Sequence, residues 1–229
     1  MIKGFVFDLD GVITDTARFH YQAWAKIAQD DLGITINPSV NEQLKGVSRM
    51  DSLNIILKFG HRENDFTQEQ KEVFATKKND YYVALISHMT PADILPGMKE
   101  FLDELRAENY GMSLASASKN APRILAGLGL TTYFDKIVDP ASLRHGKPDP
   151  EIFAKGAALL NIKPSEAVGL EDAFAGIQSI NGAGEFSVGI GDPKILHEAD
   201  LNFNCTAEVS LAKIKAAYAD QNDQDLAID

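Results

Sequence analysis

The sequence predicts an α/β protein, a doubly wound parallel sheet with an inserted helical cap domain. Three observations lead there. The apolar run Phe5-Val6-Phe7 passes directly into Asp8-Leu9-Asp10-Gly11-Val12, so a strand buried on both faces ends on two carboxylates and a glycine. From Pro91 onward, short apolar runs alternate with helical periodicity, the pattern of parallel strands joined by crossover helices. Between these two regions lie about 75 residues of helical spacing, more than a crossover between neighbouring strands requires.

The elements follow in chain order. In the insert, apolar residues return at Trp24, Ile27 and Ala28, at Leu53, Ile56 and Leu57, and at Val73, Phe74 and Tyr81. Gly33 is a stop for the first helix. Ser48-Arg49-Met50-Asp51 and Thr67-Gln68-Glu69-Gln70 resemble capping boxes that start two others. Later strands are expected at Met112-Ala115, Lys136-Val138, Ala167-Leu170, Phe186-Ile190 and Leu201-Phe203. This divides the chain into an α/β core, residues 1–14 and 91–229, and a helical cap, residues 15–90, with hinges near Asp15 and Thr90. Because the insert leaves the sheet just after Asp10, it is expected to hang over the carboxylate pair. The polar stretch Asp220-Asp229 is expected to fray.

With 229 residues, 45% of them hydrophobic, the chain can bury a substantial core. Its formal net charge of −11 argues against nucleic acid or an anionic membrane as partner, since either would repel it. The single cysteine, Cys205, excludes an internal disulfide, fits a reducing cytoplasm and reads as a small buried apolar residue. No charged-then-apolar leader precedes the first strand, and no apolar run approaches the roughly 18 residues of a membrane span, so neither export nor insertion is expected. An acidic surface without an evident apolar stripe suggests a monomer.

The chemistry begins at Asp8 and Asp10. Residues two apart on a strand face one side, and two carboxylates so close call for a cation such as Mg²⁺ or for an unusual proton. Three further clusters fall at strand ends or helix starts. Ser116-Ala117-Ser118-Lys119-Asn120 offers a hydroxyl and free N–H groups suited to phosphate oxygens. Lys147, in the stiff run Lys147-Pro148-Asp149-Pro150, offers an ammonium, and Glu171-Asp172 adds a pair of hard oxygen ligands. Taken singly, each also has a plain structural explanation as a serine cap, a surface lysine or a pair of acids at a helix start.

Taken together and in this order, the four clusters resemble the motifs of the haloacid-dehalogenase-like (HAD) phosphotransferases. The likeness extends over nearly the whole chain, through Asp8-Leu9-Asp10-Gly11-Val12-Ile13-Thr14-Asp15-Thr16, Leu44-Lys45-Gly46-Val47-Ser48-Arg49 and Gly169-Leu170-Glu171-Asp172, to the sugar-phosphate mutases of that family. The resemblance implies a Rossmann-like core and a nucleophile at Asp8 that becomes an aspartyl phosphate. It implies a general acid/base at Asp10, and Ser116 and Lys147 orienting and compensating the transferring phosphoryl. Mg²⁺ would be held by the carboxylate of Asp8, the backbone carbonyl of Asp10, Glu171 and Asp172. Lys45, Gly46, Val47, Ser48 and Arg49 would bind a second phosphate, and His20, Trp24 and Lys78 would line the closed cap. The implied reaction interconverts β-D-glucose 1-phosphate and β-D-glucose 6-phosphate through the 1,6-bisphosphate. A sugar-phosphate phosphatase is the alternative, since it would share these residues. A phospho-accepting signalling domain is disfavoured, because it has no need for the insert. One departure is Ala173, where many relatives carry a serine.

Overall fold

The computed structural model describes residues 1–44, 48–134 and 136–226. Its α/β unit comprises residues 1–15 and 89 onward, and its helical unit residues 16–88. The α/β unit holds a six-stranded sheet: β1 (Gly4–Phe7), β2 (Gly111–Leu114), β3 (Lys136–Ile137), β4 (Ala167–Glu171), β5 (Phe186–Ile190) and β6 (Leu201–Phe203). The order is β3-β2-β1-β4-β5-β6, and every pairing is parallel. The order reverses beside β1. A chain leaving β1 therefore emerges in the crevice between connections that run to opposite faces, where doubly wound sheets bind ligands.

Alternation along β1 fills both faces. Phe5 and Phe7 point one way, into an aromatic group with Phe101, Tyr110 and Phe134 whose rings meet mostly edge to face. Val6 points the other way, among Ile152, Phe153, Ile177 and Ile180. These come from α7 (Glu151–Leu159) and α8 (Phe174–Ala183), while Phe101 lies on α5 (Met98–Ala107). Fully burying each of these large side chains contributes roughly 1.5–3 kcal/mol, so β1 is fixed from both sides. The unit also contains α6 (Ala121–Gly127) and α9 (Leu211–Leu226), and Tyr218 of α9 meets Phe186 of β5 edge to face.

The helical unit contains α1 (Ala17–Leu32), α2 (Pro38–Leu44), α3 (Arg49–Phe59) and α4 (Gln68–Ile86). Trp24, Ala28, Leu32, Leu53, Ile56 and Leu57 form its core with Ile34, Ile36 and Val40. Gly33 ends α1 in the left-handed conformation, φ 65°, as its place in the sequence predicts. Thr67 and Gln70 form a reciprocal capping box. Ser48 forms only half of one: its hydroxyl accepts from the Asp51 N–H and donates to the Asp51 carboxylate.

Two expectations are corrected. Cys205 is exposed, because it stands in the turn after β6 and not on a core-facing strand position. The polar C-terminal stretch does not fray from residue 220, since α9, anchored by the buried Ile214 and Tyr218, continues to Leu226; residues 227–229 lie outside the described residues. Among the described residues no helix is long and apolar enough to cross a membrane.

Candidate active site

The register of three parallel strands assembles the site. The Asp8 N–H donates to the Leu170 carbonyl at 3.0 Å, and the Ala115 N–H donates to the Phe7 carbonyl at 2.7 Å. The ends of β2, β1 and β4 therefore lie side by side, and Ser116, Asp8 and Glu171 leave the sheet as neighbours. All three are buried. The Lys147 Nζ joins two of them, donating to Asp8 Oδ1 and to Glu171 Oε2, each at 2.6 Å. One ammonium thus spans the centre of the sheet from a loop 139 residues away in sequence. The hydroxyl of Ser116 accepts from the Ser118 N–H at 3.1 Å, and that of Ser118 from the Asn120 N–H at 3.2 Å. These bonds shape the turn that carries Ala117 and Lys119 into α6.

Glu171 is held from behind. Its Oε1 accepts from the N–H groups of Asp172 and Ala173, at 3.1 and 3.2 Å. Ala173, the residue that departs from the family pattern, thus contributes its backbone to this carboxylate. Two glycines make the room. A Cβ on Gly176 would stand 2.0 Å from the Glu171 carboxyl, and one on Gly11 would stand 1.9 Å from Asp172 Oδ2. Gly11 also has φ +76°, where a side chain is strained whatever the space. The sequence marks Gly11 as a turn residue, but its contact with an acid 161 positions later has no local signal. Thr14 is similar: buried, it donates to the Asp93 carbonyl at 2.6 Å and ties the loop after Asp10 to the returning chain.

The electrostatics leave negative charge in excess. Burial raises the Asp8 carboxyl above its usual range, Glu171 adds repulsion, and Lys147 only partly opposes them. Asp172 is raised for the same reasons, by desolvation of its carboxyl and by the charges of Glu171 and Asp8, with Asp10 acting on both. For Lys147, burial disfavours the ammonium, but Asp8 and Glu171 outweigh it and hold the amine firmly protonated. One lysine does not balance four acids. Oxygens of Asp8, Glu171 and Asp172 lie within 4.8 Å of one another, a hard, all-oxygen donor set that fits a divalent cation.

A model of the haloacid dehalogenase-like hydrolases matches residues 2–184. The chain belongs to that family. It is 45% identical over 210 residues, 92% of each chain, to a Bacillus subtilis β-phosphoglucomutase. A solved structure of β-phosphoglucomutase from Clostridium difficile superposes with a TM-score of 0.91 at 46% identity, covering 96% of this chain and 99% of the other. A phosphorylated carbohydrates phosphatase of Thermotoga maritima is 26% identical over 80% of this chain and 82% of its own. The chain is accordingly a phosphotransferase-type enzyme of the HAD fold, and the parallel sheet with flanking helices expected from the sequence is the one found.

In the helical unit, three further predicted residues meet. The Lys78 Nζ stands 2.7 Å from His20 Nδ1, 5.2 Å from the centre of the Trp24 ring and 4.7 Å from that of Tyr82. The neighbouring Lys77 points outward and pairs with Asp31. Lys78 is 3% exposed. Burial, with help from the Arg49 charge, depresses its pKa to about 7. Burial and the charges of Lys78 and Arg49 push His20 down to about 3, so the imidazole stays neutral. Arg49 donates to Asn79 Oδ1 at 2.8 Å, and Ser48 caps α3. Lys45, Gly46 and Val47 lie outside the described residues.

Proposed function

We propose that the protein interconverts β-D-glucose 1-phosphate and β-D-glucose 6-phosphate, carrying a phosphoryl group on Asp8 and passing through β-glucose 1,6-bisphosphate. The observation that carries this reading is the 45% identity with a β-phosphoglucomutase over 92% of both chains. The residues at the strand ends fit the chemistry.

Asp8 is the nucleophile. One of its oxygens attacks a phosphate of the bisphosphate, the bond from phosphorus to the sugar oxygen breaks, and Asp10 gives that oxygen its proton. In the return step, a hydroxyl of the next sugar phosphate loses its proton to Asp10 and takes the phosphoryl from Asp8. Lys147 keeps Asp8 oriented and supplies positive charge where the phosphoryl passes. Ser116 donates to a phosphoryl oxygen, with Ala117, Ser118, Lys119 and Asn120 forming the rest of that phosphate cradle. Mg²⁺ would be held by the Asp8 carboxylate, the Asp10 carbonyl, Glu171 and Asp172, and when bound it supplies the charge neutralisation that in-line phosphoryl transfer needs. Lys45, Gly46, Val47, Ser48 and Arg49 are assigned to the second phosphate, and His20, Trp24 and Lys78 of the cap, residues 15–90, to substrate binding. The net charge of −11 and a thiol left unpaired support a monomer in the cytoplasm that acts on small sugar phosphates.

The alternative is a Mg²⁺-dependent sugar-phosphate phosphatase, favoured by the 26% identity with the phosphorylated carbohydrates phosphatase. The Arg49→Ala variant separates the two. A mutase loses transfer between the two sugar positions when its second phosphate site is damaged, whereas a phosphatase that does not use Arg49 keeps its turnover.

A further inference from the structure

Away from the strand ends, a cleft of about 310 Å³ is lined by Ser165, Asn181, Glu185, Phe186, Asp200 and Tyr218, with Gly184 and Gln221. Glu185 stands between the end of α8 and the start of β5. It is 4% exposed, and neither carboxyl oxygen finds a hydrogen-bond donor among the described residues. A buried carboxyl without a donor is costly, and proteins keep such groups paired as a rule. Nothing in the phosphoryl-transfer chemistry uses it.

We propose that this cleft is a binding site for a small organic ammonium, with Glu185 as its counter-ion. Four features select that class. The rings of Phe186 and Tyr218, 5.6 Å apart, line the cleft and offer apolar and cation-attracting faces. The volume admits several carbon atoms, far more than a bare ion fills. A hard divalent cation needs about six oxygens, but the second carboxylate, Asp200, is already engaged by the Ser187 N–H and hydroxyl at 2.7 and 3.0 Å and by Gln221 at 2.9 Å. A net charge of −11 also draws cations towards the surface.

Burial pushes the Glu185 carboxyl up to about 9, so at pH 7 it carries a proton before the ligand arrives. Entry of the ammonium expels that proton to solvent and leaves a carboxylate–ammonium pair. Among the described residues, the other titratable groups at the cleft are Asp200, before β6, and Tyr218 on α9, with the Met1 amino group beside it; the Tyr218 hydroxyl donates to the Ser165 carbonyl and accepts from the Met1 amino group.

The test is calorimetric titration of n-butylammonium into the Mg²⁺-loaded enzyme at pH 7, in two buffers of different ionisation enthalpy that contain no primary amine. Saturable binding with release of close to one proton is expected. Glu185→Gln and Glu185→Met should each weaken it by roughly 30-fold or more, as loss of one partner of a buried charge pair does. The response should survive in Asp8→Asn, which separates the cleft from the acidic site at the strand ends. If a folded Glu185→Met protein binds as the parent does, if the parent shows no saturable heat, or if KCl gives the same heat, the proposal is overturned.

Discussion

Gly11 and Asp172, 161 residues apart in sequence, are in such close contact that a single added carbon on Gly11 would lie 1.9 Å from the Asp172 carboxylate. The loop that delivers Asp10 is therefore built against an acid of the proposed metal cluster. Glycine is required twice over, by that contact and by φ +76°. Gly11→Ala is expected to fold, because the sheet core lies elsewhere. It should lose about 100-fold in kcat, the scale of an ångström-sized displacement of reacting groups. It should also bind Mg²⁺ more weakly; far-UV circular dichroism, a turnover assay and metal titration check the three parts.

Asp10 separates the chemical step from the structural role of the pair. Asp10→Asn keeps size and hydrogen-bonding capacity but cannot shuttle a proton, so kcat should fall by about 10² to 10⁴. Asp8→Asn should remove covalent labelling altogether. Mass spectrometry after incubation with β-glucose 1,6-bisphosphate reads both: a slowly formed phosphoryl adduct on Asp10→Asn, and none on Asp8→Asn.

How much of this is legible in the sequence depends on how local the cause is. The strands Phe186–Ile190 and Leu201–Phe203 appear where the apolar runs place them. So does the glycine stop at Gly33, since turn chemistry is local. The four clusters of the site are readable because a parallel sheet brings strand ends together by rule. The bonds of Lys147 to Asp8 and Glu171, the packing of Gly176 on Glu171 and the burial of Lys78 arise from contacts between distant segments, which periodicity does not encode. On α4 the pattern misleads: Val73 is 54% exposed while Lys78 faces inward beside Tyr82. Short helix α2 carries only a weak signal, with Asn37 accepting from the Val40 N–H ahead of Pro38.

The buried Lys78 gives the helical unit a pH dependence of definite sign. Its pKa is about 7 in the folded chain against 10.5 ordinarily. Folding must therefore remove a proton below 10.5, and stability contributed here falls as pH drops from 10.5 towards 7. His20, lowered from 6.5 to about 3, extends the loss at acidic pH. Trp24 is the sole tryptophan and lies against Lys78, so its fluorescence reports this unit. The denaturation midpoint followed at Trp24 should rise from pH 6 to pH 9. Lys78→Met should flatten that rise above pH 7 and stabilise the unit at neutral pH.

In the proposed mechanism Asp8 passes its phosphoryl group to sugar and not to water. ³¹P NMR of the purified protein with Mg²⁺, β-glucose 1-phosphate and a trace of β-glucose 1,6-bisphosphate tests it directly, with a chelated sample as the metal-free control. Growth of the glucose 6-phosphate resonance without comparable inorganic phosphate, abolished by the chelator, is the expected result. Inorganic phosphate as the main product would mean that water takes the phosphoryl group, and transfer that persists at full rate without metal would mean that the acidic cluster does not act through Mg²⁺.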